Sequence, residues 1–298
     1  MRRSLFAAAA ALAVWLFAAL GVDSAAQCAP ENPEHCATPT PSPTPELDPL
    51  GNDPPAGEPP AIAGEGYEVK FFDSFNTLDR TVWSNGIWYE PQDPAGSQYV
   101  QDGVLHLDSK RSDGYAQIQA TTRNTYAVQE GYIECRGRFN SGRGGWQGCW
   151  MLSQNWSNSA PTNCEPNLLS SEIDILEAQA VDPFYWIGAV HRHSGKHVNF
   201  CGGDAQNDFN AFRSETTRLA DAWHTWAAKW TASQVCWYVD DRLSHCAPTY
   251  DTFANNPQFL ILQSGSDGWR SDNQIAADSP DVLKLETNWV RVWQKLTP

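Results

Sequence analysis

Ser171 to Ala178 reads Ser-Glu-Ile-Asp-Ile-Leu-Glu-Ala and sets three acids, Glu172, Asp174 and Glu177, inside one short apolar run. β-branched and aliphatic residues at this density suit a pleated, buried strand. In a strand Glu172 and Asp174 share a face, which Leu176 would share too, whereas Glu177 is out of phase. One extra residue bulged out near Ile175 or Leu176 would return Glu177 to the face of Glu172. The two glutamates then stand about four strand steps, roughly 13 Å, apart at Cα. Each side chain reaches inward by roughly 4 Å on standard bond lengths. That brings the carboxyl groups to about 5–5.5 Å, the separation at which one acid attacks a glycosidic carbon while the other protonates the departing oxygen. An ionised nucleophile and a protonated acid must coexist, and Asp174 between them can hydrogen-bond one partner and help keep their pKa values apart. The same residues also suit a solvated acidic strand face, or three ligands of a calcium ion.

The elements that would position this strand lie on either side of it. Ahead of it, Tyr126 to Leu152 runs Tyr-Ala-Val-Gln-Glu-Gly-Tyr-Ile-Glu-Cys-Arg-Gly-Arg-Phe, a Gly-rich turn, then Gly-Trp-Gln-Gly-Cys-Trp-Met-Leu. After it come Ala222-Trp-His-Thr-Trp-Ala-Ala-Lys-Trp230, then Cys236-Trp-Tyr-Val-Asp-Asp, and near the end Trp289-Val-Arg-Val-Trp293. With Phe71-Phe-Asp-Ser-Phe75 at the front, and with Glu-Ile-Asp-Ile-Leu-Glu as the central piece, the chain resembles glycoside hydrolase family 16 in its bulged form. The likeness covers about residues 66 to 296 in the family's order. It implies that Glu172 is the nucleophile, Asp174 its assistant and Glu177 the acid/base. It also implies a concanavalin A-like β-sandwich with one concave face for substrate.

The residues themselves agree on an all-β domain of the jelly-roll type. Short alternating or β-rich stretches, such as Gly103-Val-Leu-His-Leu-Asp108 and Val235-Cys-Trp-Tyr-Val239, recur between Gly, Asn, Asp and Ser clusters. The chain holds 14 Trp against 2 Met, more indole than a core requires. Indole faces stack on the apolar faces of sugar rings while the N–H meets hydroxyls. Trp146 and Trp150 share a strand face, and their counterparts in the family line the cleft, so both are expected to bind substrate. Trp223 and Trp226 are expected to pack in the core. His191, in Gly188-Ala-Val-His-Arg-His193, resembles the cleft histidine of the following strand. It is expected to hydrogen-bond a carboxylate or a sugar hydroxyl, not to transfer a proton. A zinc set of His191, His193 and His197 lacks a matching acid or cysteine. Gln263 stands where the family often has Asn and is expected to contact substrate.

Met1-Arg-Arg-Ser, the apolar run Leu5 to Val22 and Ser24-Ala25-Ala26 read as a signal peptide over residues 1–26, with an uncleaved anchor as the alternative. Residues 27–65, with Thr38-Pro-Thr-Pro-Ser-Pro-Thr-Pro45, read as a disordered Pro/Thr-rich linker. Residues 66–298 read as one catalytic domain. Export makes the eight cysteines candidates for disulfides. A three-residue loop at Asp240-Asp241-Arg242 sets Cys236 opposite Cys246. Cys135 with Cys149 and Cys164 with Cys201 are the other expected pairs, and Cys28 with Cys36 stays open.

A net charge of −15 argues against nucleic acid and anionic membranes. It also weighs against heavily sulfated glycans, unless Arg136, Arg138 and Arg143 form a local basic cluster. The expectation is a secreted, monomeric, retaining endo-β-glycanase on β-1,3- or β-1,3(4)-glucan. It needs no cofactor, and a structural calcium stays open. The alternatives are an agarase-type β-galactanase and a lectin-like sandwich that binds glycan without cleaving it. Three departures from the usual glucanase pattern bear on substrate: Asn167-Leu-Leu-Ser-Ser in place of Trp-Pro-x-x-Gly, Lys229 for a frequent Glu, and Gln263 for a frequent Asn.

Overall fold

The computed structural model describes residues 54–86, 93–154, 169–194, 206–213, 217–249, 253–268 and 270–296; at 169, 192–194 and 206–213 only the backbone is described. The expected signal peptide, most of the linker, Cys28, Cys36, Cys164, Cys201, Asn167, His197 and the His193 side chain lie outside the described residues.

The first strands are β1 (Tyr67–Asp73), β2 (Ser84–Asn85), β3 (Gln98–Gln101), β4 (Val104–Lys110) and β5 (Ile118–Thr121). Next come β6 (Gly131–Phe139), β7 (Gly145–Ser153), β8 (Leu169–Gln179), β9 (Tyr185–Ser194) and β10 (Gln206–Arg213). The series ends with β11 (His224–Trp230), β12 (Gln234–Val239), β13 (Arg242–Pro248), β14 (Gln258–Ser266) and β15 (Val282–Lys295). Among the described residues they form two antiparallel sheets. One runs β13-β12-β11-β6-β15-β4-β3, with β1 also paired to β15; the other runs β10-β9-β8-β7-β14-β5-β2. The chain passes between sheets at β1–β2, β2–β3, β4–β5, β5–β6, β6–β7, β10–β11, β13–β14 and β14–β15, which makes the all-β jelly-roll sandwich expected from the period-2 patterning.

The sheets meet through alternate residues of each strand. From the first, Ile133, Cys135, Phe139, Trp226, Trp230, Val235 and Val290 point inward; from the second, Cys149, Met151, Ile173, Val190, Leu260 and Leu262 do so. Side chains of this size stabilise by about 1.5–3 kcal/mol each when fully buried. Trp226 belongs to this core as expected, but Trp223 does not. It lies half-buried on the outer face of the first sheet with the guanidinium carbons of Arg136 and Arg138 at 5.1 and 5.0 Å from its ring. The reason is alternation: Tyr132, Glu134, Arg136 and Arg138 point away from the core that holds Ile133, Cys135 and Phe139. The basic cluster imagined for Arg136, Arg138 and Arg143 is therefore divided, because Arg138 pairs with Glu286 across that outer face while Arg143 caps the Gln274 carbonyl in a loop.

Cys236 and Cys246 form the expected disulfide, by a different count. Asp240 and Asp241, at φ 48° and 62°, make a two-residue turn, and the register slips by one residue between Trp237 and Tyr238. The two-residue turn and the bulged Ser244 together restore the pairing that a three-residue loop would give. Cys135 and Cys149 are not bonded to each other, contrary to expectation; both are buried free thiols. Burial, together with the neighbouring Cys135 thiol, pushes the Cys149 pKa well up and keeps that thiol protonated.

Residues 54–65, assigned to the linker by composition, lie against the outer face of the first sheet. Ile62 is fully buried with Tyr67, Tyr132, Ala227 and Trp293. Lys229 Nζ donates to the Ala61 carbonyl at 2.9 Å and to Glu65 at 2.5 Å, and Arg291 donates to the Pro55 carbonyl at 3.1 Å. Arg291 also makes a two-pronged pair with the buried Glu134, at 2.6 and 3.2 Å.

Candidate active site

The acid strand β8 sits inside the second sheet, between β7 and β9. Against β7, Cys149 pairs with Leu176 but the next residue, Trp150, pairs with Asp174, so Ile175 is extra. Against β9 the register slips in the same interval, from Asp174 opposite Ala189 to Glu177 opposite Ile187. This is the bulge that the sequence requires. Its cause is visible in the burial: Ile173, Ile175, Leu176 and Ala178 all belong to the core, so two consecutive aliphatic side chains turn inward. Leu176 accordingly leaves the face a regular strand would give it. Glu172 and Glu177, both half-buried, are brought to the face turned away from the core.

Each acid has a partner. His191, directly opposite Glu172 on β9, places Nε2 at 2.7 Å from Asp174 Oδ2 and at 3.9 Å from Glu172 Oε1. The carboxylate can only accept, so His191 donates its Nε2–H to Asp174 and Glu172 lies just beyond hydrogen-bond range. Trp146 donates its indole N–H to Glu177 Oε1 at 2.9 Å, which orients that carboxyl group. Trp150 lies half-buried against Leu152, Phe259 and Ile261, with its strand neighbours placing it on the same face. Gln263 is on that face too, but only 4% exposed, and its Oε1 accepts from Gln119 Nε2 at 2.8 Å. It lies under the surface, and a ligand could reach it only through its remaining amide group.

Several supporting residues carried no signal that pattern reading recognises. The strand is fastened at its start by serines: Ser171 N donates to Ser153 Oγ at 2.6 Å, Ser153 Oγ donates to the Ser171 carbonyl at 2.7 Å, and Gln258 donates to Ser171 Oγ at 2.9 Å. Thus the Ser-Ser approach, a departure from the family pattern, serves as an anchor. Beyond Glu177, the guanidinium of Arg270 lies 5.0 Å from the Tyr185 ring and is paired with Asp272 at 2.6 Å. Burial raises the Tyr185 pKa, Arg270 opposes the rise, and the charge of Glu177 adds to it, which sets Tyr185 at the Glu177 end of the site.

Glu172, Asp174 and His191 bring one ligand atom each to within 4.8 Å of one another. Calcium takes six to eight oxygens, and this set of two carboxylates and an imidazole nitrogen is not of that kind. Its composition is nearer to that of zinc sites.

Residues 88–291 match the family described as Glycosyl hydrolases family 16. The glucan endo-1,3-beta-glucosidase A1 of Niallia circulans is 26% identical over 79% of this chain and 39% of its own length. The beta-1,3-glucan-binding protein of Penaeus monodon is 32% identical over 50% of this chain and 39% of its own. The chain therefore spans well under half the length of either relative. Among solved structures, the laminarinase catalytic domain from Thermotoga maritima MSB8 superposes with a TM-score of 0.63 at 20% identity, covering 78% of this chain and all of that one. That likeness concerns the fold.

Proposed function

Because this chain belongs to glycosyl hydrolase family 16, we propose that it is a secreted, retaining endo-β-glycanase acting on β-1,3- or β-1,3(4)-glucan. Glu172 attacks the anomeric carbon, and Glu177 protonates the departing oxygen and then deprotonates the incoming water. Asp174, held by His191, assists the nucleophile. The observation that carries this reading is the register slip between Asp174 and Glu177, which gives both glutamates one face. Trp146 and Trp150 flank them as platforms for sugar rings. No cofactor takes part in this scheme. The substrate class rests on relatives named as glucanases. A residues 1–26 signal peptide and a Pro/Thr-rich spacer complete the proposal of an exported monomer. The glucan-binding relative favours a second reading, binding without cleavage.

Incubation with laminarin, mixed-linkage glucan and agarose, followed by product analysis, separates these readings. The expected result is oligosaccharide release from the glucans, with the new reducing end first appearing as the β-anomer by proton NMR. Glu172→Gln should remove the activity and leave the fold, since an amide cannot attack the anomeric carbon. Binding without release would favour the second reading, and an initial α-anomer would refute the two-acid geometry.

A further inference from the structure

The indole of Trp237, on β12 of the opposite sheet, crosses the core and donates its N–H to the backbone carbonyl of Asp174 at 2.7 Å. Asp174 is the last residue in register before the bulge. Trp237 is fully buried. The room for its ring comes from Gly188, the β9 residue left facing the bulge between the pairs Asp174–Ala189 and Glu177–Ile187. A Cβ at Gly188 would lie 2.4 Å from Cδ1 and 2.7 Å from Nε1 of the indole. The ring is further fixed by His245, stacked on it at 4.7 Å with 16° between planes, whose Nε2 donates to the Gly188 carbonyl at 3.1 Å.

This hydrogen bond is not a routine feature of the core. Trp226 and Trp230 are equally buried in that core, and their indole nitrogens have no hydrogen-bond partner among the described residues. The core thus accommodates indoles for their bulk alone, whereas Trp237 is aimed at one carbonyl. A bulge interrupts the ladder and can migrate along a strand unless something pins it. Glu172 and Asp174 lie on one side of this bulge and Glu177 on the other, so its position sets the distance between the acids.

We propose that Trp237 is a positioning residue: it pins the bulge through the Asp174 carbonyl and thereby sets the reach of Glu177 relative to Glu172. The inference rests on the roles proposed above for the two glutamates. Misplacement of a reacting group by about 1 Å can cost about 100-fold in rate.

The test is Trp237→Phe, which keeps a ring between Gly188 and His245 but removes the donor. A second variant, with Trp237 replaced by 3-benzothienylalanine, keeps both rings and removes only the N–H. Expected for both is a fall in kcat of about 10–100-fold on laminarin, with KM within about twofold of wild type. On an aryl β-glucoside with a good leaving group, kcat/KM should fall by no more than about threefold, because acid assistance from Glu177 then matters least. Equal losses on both substrates, or wild-type rates in the benzothienyl variant, would overturn the positioning role and leave the proposed function standing. A wild-type protein inactive on every glucan would overturn both.

Discussion

Replacing Ile62 by Ala tests whether the segment ahead of β1 is part of the folded domain or only its tether. Ile62 has no exposed surface and packs on Tyr67, Tyr132, Ala227 and Trp293, on the face opposite the acids. Truncating a fully buried aliphatic side chain costs about 2–5 kcal/mol. Here the lower part of that range is expected, because Tyr67 and Trp293 are 8% and 7% exposed and water can enter the space left behind. The loss is also capped. Once it exceeds the docking free energy of the segment, residues 54–65 detach and the rest stays folded. For a domain of this size each kcal/mol moves the melting temperature by about 2–4 °C. We therefore expect Ile62→Ala to melt roughly 5–10 °C lower than wild type, with laminarin turnover at 25 °C unchanged. Differential scanning calorimetry gives the first number, and limited proteolysis should show new cleavage within residues 54–65. A melting temperature within 2 °C of wild type, with no new cleavage, would refute the docked arrangement.

Two further outcomes follow from buried titratable groups. Under denaturing, non-reducing conditions Cys135 and Cys149 should react with a thiol reagent while Cys236 and Cys246 do not; in the native state the first pair should also be silent, since burial keeps Cys149 protonated and inaccessible. Reagent incorporation at Cys236 or Cys246 without reduction would contradict the hairpin. Burial holds the His245 pKa below its ordinary value of 6.5, against the opposing hydrogen bond to Gly188. The unfolded chain therefore takes up this proton first as the pH drops, and the contribution of His245 to stability is lost as pH falls from 6.5 toward the lower folded value. Urea unfolding at several pH values, compared with His245→Phe, should show a shallower acid dependence in the variant; identical slopes would count against this.

The bulge was legible because Ile175 and Leu176, two aliphatic residues in succession, break the alternation that Glu172, Ile173 and Asp174 begin. Parity also predicts correctly that Trp146 and Trp150 share a face. Parity says only which way a side chain points, however, not what stands across from it. For that reason it could not find Trp237, whose partner lies 63 positions away, and it offers no test of the expected bond between Cys135 and Cys149, which face each other as free thiols from separate sheets. Composition misled at residues 54–65, where prolines and glycines read as linker although Ile62 is buried and Lys229 and Arg291 bind the segment's carbonyls. Trp223 was lost in the same way: its outward neighbours Arg136 and Arg138 are distant in sequence and adjacent only once β6 and β11 pair.

The bulged strand also behaves as a reading frame with one slack position. Glu172 and Glu177 are an odd number of residues apart, and the extra residue in the ladder converts that odd number into an even one. Deleting either Ile175 or Leu176 would leave an offset of four, even without any bulge, so both glutamates would still face the same way. Deleting Ile173 instead would turn Glu172 into the core or drag the bulge with it. Length changes in this strand are therefore tolerated at one dipeptide and ruinous a step or two upstream. A shortened strand would reposition the Asp174 carbonyl as well, and Trp237 would then fill space without a partner. Substitutions at 237 that are damaging in the present chain should be mild in the shortened one, so the acceptability of one change depends on whether the other has come first.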